Sequence, residues 1–230
     1  MKSKHFNIPI REWINLSNIA LVIIDMQKGL KDINYSPLEC EKSHGLGEES
    51  VKYLKSRLKE TIVNIKKLLA LFRKNNLTII YTQIGHLYKD FKDSPTIHKK
   101  RFDGLLDATG KKIYLMPGSK IYEILDDIYP EKEEIILKKT TSDAFNGTQL
   151  DFILRNNNIN KLLICGALTS CCVESTARSA FDLGYLPTVV CDASLAADKN
   201  FHENSLKVLD TYYANVMNTD IIIDFLGVTG

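Results

Sequence analysis

Residues 19–25 read IALVIID: an unbroken apolar run, Ile19–Ile24, and then an acid, Asp25. A half-exposed strand alternates apolar with polar side chains. A continuous run of strand length means that both faces are covered, as in a parallel sheet held between two layers of helix. Working outward, bursts of the same kind recur at Leu77–Thr82 (LTIIYT), Glu134–Lys138 (EIILK), Leu162–Cys165 (LLIC) and Thr188–Cys191 (TVVC). A sixth strand is expected near Ala214–Met217, and Ile221–Phe225 reads as either helical or irregular.

Between the bursts the period changes. Over Glu48–Asn75, apolar residues fall at 51, 54, 58, 62, 65, 68, 69 and 72, a 3.6-residue stripe stopped by Asn75–Asn76. Ser119–Asp127, ahead of Pro130, and Thr148–Asn156, ending in three asparagines, read as short helices. From Cys172, positions 173, 177, 180 and 181 share one helical face, and Gly184 is a natural C-terminal cap. His202–Tyr213 supplies the last helix. Strand alternating with helix predicts an α/β, three-layer, doubly wound fold with right-handed crossovers. Residues 1–230 are expected to form one domain, with 1–18 as an N-terminal extension. Lys31–Gly47 and Gln83–Pro117 lack clean periodicity and both follow a strand end. Ligands bind beyond the carboxyl ends of strands in such sheets, so these segments are expected to wall a pocket.

Composition narrows the function classes. Thirty Lys+Arg against 28 Asp+Glu leave a net charge of +2 over 230 residues, which argues against a dedicated nucleic-acid binder. No apolar stretch approaches a membrane span, and no apolar run follows the charged N-terminus as it would in a signal peptide. The five cysteines, at 40, 165, 171, 172 and 191, are odd in number and form no CxxC pair. Free thiols in a reducing, cytoplasmic setting are expected. The partner expected is a small-molecule substrate rather than nucleic acid or a membrane.

A parallel sheet gathers chemistry that sequence spacing hides. Asp25 stands at the tip of the first run, Lys138 and Lys139 at the tip of IILKK, and LLICGALTSCCV turns into a helix at about Cys172. Carboxylate, ammonium and thiol thus reach one sheet edge. A cysteine in a first helical turn feels the positive end of the helix dipole, and a nearby lysine acts the same way, so a thiolate is expected. The backbone N–H groups there can hold an oxyanion, and the carboxylate can move the proton.

The stretches ALVIIDMQ (20–27), KTTSDAFNGTQL (139–150), GALTSCCVESTARSAFDLGY (166–185) and VVCDAS (189–194) resemble the isochorismatase-like cysteine hydrolases. The third is long and specific, and the resemblance spans roughly 19 to 225. It implies a six-stranded, mostly parallel sheet flanked by helices, and a catalytic Cys–Asp–Lys triad. The cysteine before Val-Glu is Cys172, the aspartate opening Asp-Met-Gln is Asp25, and the lysine six positions before Phe145 is Lys139. It also implies a non-proline cis peptide at Ala167–Leu168, turning the N–H of Leu168 toward the site beside that of Cys172 as an oxyanion hole. Homo-oligomers are common in the family, so one is expected here.

Because the cysteine is present, the resemblance favours hydrolysis of a C–N bond in a small amide, ureido or carbamoyl compound through a thioester, on the ureidoacrylate-like branch. Vinyl-ether hydrolysis with Asp25 as acid, and a non-catalytic member, are the alternatives. Nicotinamidases hold a metal through an Asp-x-His motif. Here the place reads YTQIGHLYKD, with no acid two residues before His86. No metal and no cofactor are expected.

Plainer readings stand beside these. Gln27 braces the loop after the first strand and is a substrate-binding candidate, as are His86, Phe145 and Thr169; Phe145 reads equally as pocket wall or core. Thr169–Ser170 suits a helix cap. Cys171 reads as packing, Cys165 and Cys191 as core, and Cys40 as incidental. The run His98–Arg101 reads as a solvated loop, its sharper reading being a cation for a substrate carboxylate.

Overall fold

The computed structural model describes residues 9–31, 48–109 and 115–227. Six strands, β1 (Ile19–Ile24), β2 (Thr78–Ile84), β3 (Ile135–Lys139), β4 (Lys161–Ala167), β5 (Leu186–Leu195) and β6 (Asn215–Met217), form one sheet of order β3-β2-β1-β4-β5-β6. Every neighbouring pair is parallel, so the sheet is wholly rather than mostly parallel. The chain winds outward from β1 to β3, returns, and continues through β4 on the other side of β1. The β1/β4 junction is therefore the switch point at which doubly wound folds bind their ligands.

The run that predicted the fold behaves as its chemistry requires. All six residues of β1 are buried. Ile19, Leu21 and Ile23 enter one core cluster, while Ala20, Val22 and Ile24 enter the other. The first cluster is completed by α1 (Ile10–Trp13), α2 (Glu48–Lys74) and α7 (Thr219–Gly227). The helix α2 contributes Leu54, Leu58, Ile62, Ile65, Leu68, Leu69 and Phe72 from its predicted stripe. The described part of the expected N-terminal extension also buries Ile10, Trp13 and Ile14 here. The second cluster takes Leu150 and Leu154 of α4 (Leu150–Asn156), Ala177 and Ala180 of α5 (Glu174–Asp182), and Leu209 of α6 (Lys199–Tyr212).

The departures from expectation have local causes. Edge strand β3 alternates, with Ile136 and Lys138 exposed and Leu137 and Lys139 buried, as befits a strand covered on one face. A helix, α3 (Thr96–Thr109), stands inside the stretch read as irregular; the signal was Pro95, whose carbonyl accepts the N–H of His98 at 2.8 Å. Ser119–Asp127 is two 3₁₀ turns, Lys120–Tyr122 and Asp126–Ile128, rather than a helix. Between them Ile124 is drawn into a bridge with Gln27, and Leu125 donates to the Met26 carbonyl at 3.0 Å, so tertiary pairing overrides the helix. The helix α6 begins before His202 because Asp198 caps it, accepting from Asn200 N and Phe201 N. The segment 32–47, with Cys40 and His44, lies outside the described residues. Among the described residues no helix is long and apolar enough to cross a membrane.

Candidate active site

The end of β1 sets the first group. Asp25 takes a φ of 50°, a left-handed conformation that aspartate tolerates better than most residues. Its N–H donates to the Thr82 hydroxyl at 3.1 Å, and that hydroxyl donates to Asp25 Oδ1 at 2.6 Å. The other carboxylate oxygen, Oδ2, lies 2.7 Å from Lys139 Nζ. Thr82, at the matching end of the neighbouring strand, therefore orients the carboxylate. It was not among the predicted residues, although its place in LTIIYT was the available signal.

Lys139 stands at the end of β3, two strands from β1. Two inter-strand spacings are about 10 Å, a gap that suits a lysine stem. Strand alternation settles the rivalry: Lys138 is exposed, whereas the Lys139 side chain is fully buried. Its ammonium also donates to the carbonyls of Thr141 at 2.9 Å and Ser142 at 3.1 Å. These two carbonyls and the Asp25 carboxylate surround the buried ammonium. Burial works to lower the Lys139 pKa, but Asp25 and Cys172 outweigh it and the net shift is upward. The lysine is held charged.

Beyond β4 the Ala167–Leu168 peptide is cis. The chain then makes a single wide π-turn, Thr169–Val173, before α5 begins at Glu174. The carbonyl of Leu168 accepts both the Cys171 N–H at 3.0 Å and the Val173 N–H at 3.2 Å. The expected α-helical start at Cys172 is thus a π-turn, a form that recurs at functional sites. It seats Cys172 at 6% exposure and leaves Cys171 exposed, with Cys171 Sγ 3.4 Å from Ser142 Oγ.

The electrostatics revise one expectation. The hydrogen bond with Cys171, burial and the Asp25 carboxylate together hold the Cys172 thiol well above its ordinary value, against the pull of Lys139. The same hydrogen bond, seen from Cys172's neighbour, brings Cys171 down to about 6. Charge rests more easily on the exposed sulfur than on the buried one. Cys172 is therefore a thiol in the resting site rather than a ready thiolate, and needs a base to release it.

A cavity of about 140 Å³ opens over these groups. Asp25, Gln27, Cys171 and Cys172 are its polar lining; Leu30, Ile84, Leu115, Ile121, Ala167 and Leu168 are its apolar walls. Gln27 is buried and spent on the scaffold. Its Nε2 donates to the carbonyls of Ile84 and Tyr122 at 3.1 and 2.9 Å, and its Oε1 accepts from Ile84 N at 3.0 Å. The brace reading of Gln27 fits its contacts better than the substrate-binding one.

Three other substrate-contact candidates lie elsewhere. Thr169 is fully buried behind the turn, bonded through Oγ1 to His202 Nδ1 at 2.8 Å, and no side-chain cap bond forms at this helix start. Phe145 packs on the Tyr185 ring, centroids 5.5 Å apart, beside the second core cluster. Buried His86 stacks on Phe91 with centroids 4.0 Å apart, and it is Ile84 and Leu115, not His86, that line the cavity. Each was placed near the site by sequence but turned away by packing. From the basic run, Lys99 pairs with Asp103 at 2.6 Å and His98 is half-buried on α3, but neither lines the cavity. Among the described residues, no group of three or more His, Cys, Asp or Glu could hold a metal ion.

The back of the turn is a polar network that the sequence did not reveal. Arg57 of α2 extends Nη2 to the carbonyls of Cys191 at 2.9 Å and Ser194 at 3.0 Å, and stands 3.4 Å from His202 Nε2. Burial first, and then Arg57, bring the His202 pKa down to about 4, so the ring that meets Thr169 is neutral.

Comparison with known proteins places this arrangement. A family model described as the isochorismatase domain matches residues 19–221. The ureidoacrylate amidohydrolase RutB of Cronobacter sakazakii is 30% identical over 216 residues, covering 90% of this chain and 88% of that protein. A crystal structure of a cysteine hydrolase from Pseudomonas syringae pv. phaseolicola 1448A shares the fold with a TM-score of 0.75 at 21% identity, over 95% of this chain and 96% of that one. The N-carbamoylsarcosine amidase from Thermoplasma acidophilum gives 0.62 at 26% identity, over 88% and 97%.

Proposed function

The chain belongs to the isochorismatase family, and from that premise we propose that it is a cysteine hydrolase cleaving a C–N bond of a small amide, ureido or carbamoyl compound. One observation carries the reading: Asp25, held in a buried ion pair with Lys139 at 2.7 Å, lines the same cavity as buried Cys172. The names of the relatives, an amidohydrolase and an amidase, agree with it.

In the proposed reaction the Cys172 sulfur attacks the carbonyl carbon as its proton passes to Asp25. Lys139 stays charged, fixes the carboxylate and favours the thiolate as it forms. The N–H groups of Leu168 and Cys172 receive the developing oxyanion. The C–N bond then breaks, the leaving nitrogen takes the proton from Asp25, and a thioester remains. Asp25 next removes a proton from water, which attacks the thioester and releases the acid and the thiol. No metal or cofactor enters these steps. Vinyl-ether cleavage would need only the acid and would leave Cys172 without a task. One domain working in the cytoplasm, as a homo-oligomer, completes the reading.

Ammonia release from a panel of amides and ureas tests it, with Cys172→Ala run in parallel. Turnover that depends on Cys172, with an acylated Cys172 peptide by mass spectrometry, is expected. Full turnover by Cys172→Ala sinks the covalent route.

A further inference from the structure

Resting on the hydrolase reading above, we propose that the cavity selects an uncharged substrate, a carboxamide or urea ending in a small branched apolar group, and rejects its carboxylate counterpart. The hydrogen-bonding capacity of the polar groups at the floor is largely committed. Lys139 donates to Thr141 O and Ser142 O and is ion-paired with Asp25 Oδ2 at 2.7 Å. Both Nε2 protons of Gln27 go to backbone carbonyls, and its oxygen is occupied by Ile84 N. Asp25 would repel a second carboxylate.

No arginine or lysine is among the lining residues described. The walls facing Cys172 are instead Leu30, Ile84, Leu115, Ile121 and Leu168. A carboxylate entering here would lose its hydration and gain no cationic partner among the described lining residues, which a charged group does not tolerate. An apolar group gains from the same walls. The volume of about 140 Å³ has room for a small branched group beside the reacting carbonyl.

Matched pairs isolate the charge from the shape. In 4-methylpentanamide and succinamate an isopropyl group and a carboxylate occupy the same place on the same skeleton. Isopentylurea and 3-ureidopropionate form the corresponding ureido pair. In an ammonia-release assay the neutral member of at least one pair is expected to exceed its anion in kcat/KM by about 100-fold or more. Equal rates within about tenfold, or a preference for the anion, overturn the proposal.

Binding is read separately in Cys172→Ala, where the proposed turnover is removed. The neutral compounds should raise its thermal midpoint and the anions should not. If the neutral compounds give no shift, the proposal fails even if some other amide is hydrolysed. If they give the shift but no compound is turned over by the wild type, the selectivity stands and the hydrolase reading fails. Ile121→Lys places a cation at the half-buried wall and should move the neutral-to-anion ratio at least about tenfold toward the anion. An unchanged ratio in a folded variant also counts against the proposal.

Discussion

The turn from Leu168 to Val173 has two unlike sides. In front, Cys172 faces a cavity with apolar walls and few polar groups, among them Asp25, which is ion-paired with Lys139. Behind, Thr169 meets His202, and His202 meets Arg57, in a polar network. The front must admit a ligand, and the back must not move when it does. Buried polar contacts serve both ends: in front they hold the Asp25 and Lys139 heads, behind they hold the backbone that carries Cys172.

Removing the front's central group should have the largest effect. Cys172→Ala is expected to lose on the order of 10⁴-fold in kcat, measured on whichever amide the wild type turns over best. Lys139→Met should lower kcat by about 10²- to 10³-fold and destabilise the fold by about 3–5 kcal/mol, since it strands a buried carboxylate. Lys138→Met, one residue away and exposed, should stay within about 0.5 kcal/mol in urea unfolding. Similar losses in both variants would erase the distinction between the two lysines.

The back should announce itself through pH. The His202 pKa is lowered from 6.5 to about 4, so between those values the unfolded chain binds the extra proton. Stability due to this group is fully present above pH 6.5 and is lost as pH falls toward 4. Integrated over that window the loss is about 3 kcal/mol, and His202→Asn should remove this part of the slope in denaturant titrations. In turnover, His202→Leu should cost about tenfold in kcat with KM little changed, from one lost buried hydrogen bond. His202→Asn, which keeps a polar atom near Nδ1, should recover most of it. A KM effect instead would move His202 to the front. The smallest effect belongs to Cys171→Ala, within about threefold in kcat, although iodoacetamide should label Cys171 ahead of Cys172 in the resting protein because its thiol is exposed and lowered to about 6.

Legibility in the sequence followed the reach of the interactions. IALVII announced a strand covered on both faces because every residue in it is buried. The stripe of α2 was plain for the same reason. Asp25, the pair Lys138–Lys139 and the Cys171–Cys172 turn could be singled out because each stands at or just beyond a strand end, and a parallel sheet gathers such ends; it was the family resemblance that pointed to Lys139 and Cys172 within those pairs. Long-range pairing was not legible. The bridge of Gln27 to Ile124 replaced a predicted helix, and Thr82 and His202 look like ordinary strand and helix residues until the fold sets them beside Asp25 and Thr169. His86, Phe145 and Thr169 were placed correctly along the chain but not in direction, because packing decides which way a side chain turns.

Gly166 carries one more consequence. It has a φ of 115°, and a β-carbon built there would lie 2.2 Å from the Ile24 carbonyl oxygen, where the β4–β5 register shifts. The strand bearing the acid and the strand bearing the sulfur are thus pressed together at the place where both groups depart. A single methyl would act as a wedge between them and change the gauge of the reaction itself. Innovation in this chain is confined to the rim, since the spacing at the floor has no slack to give.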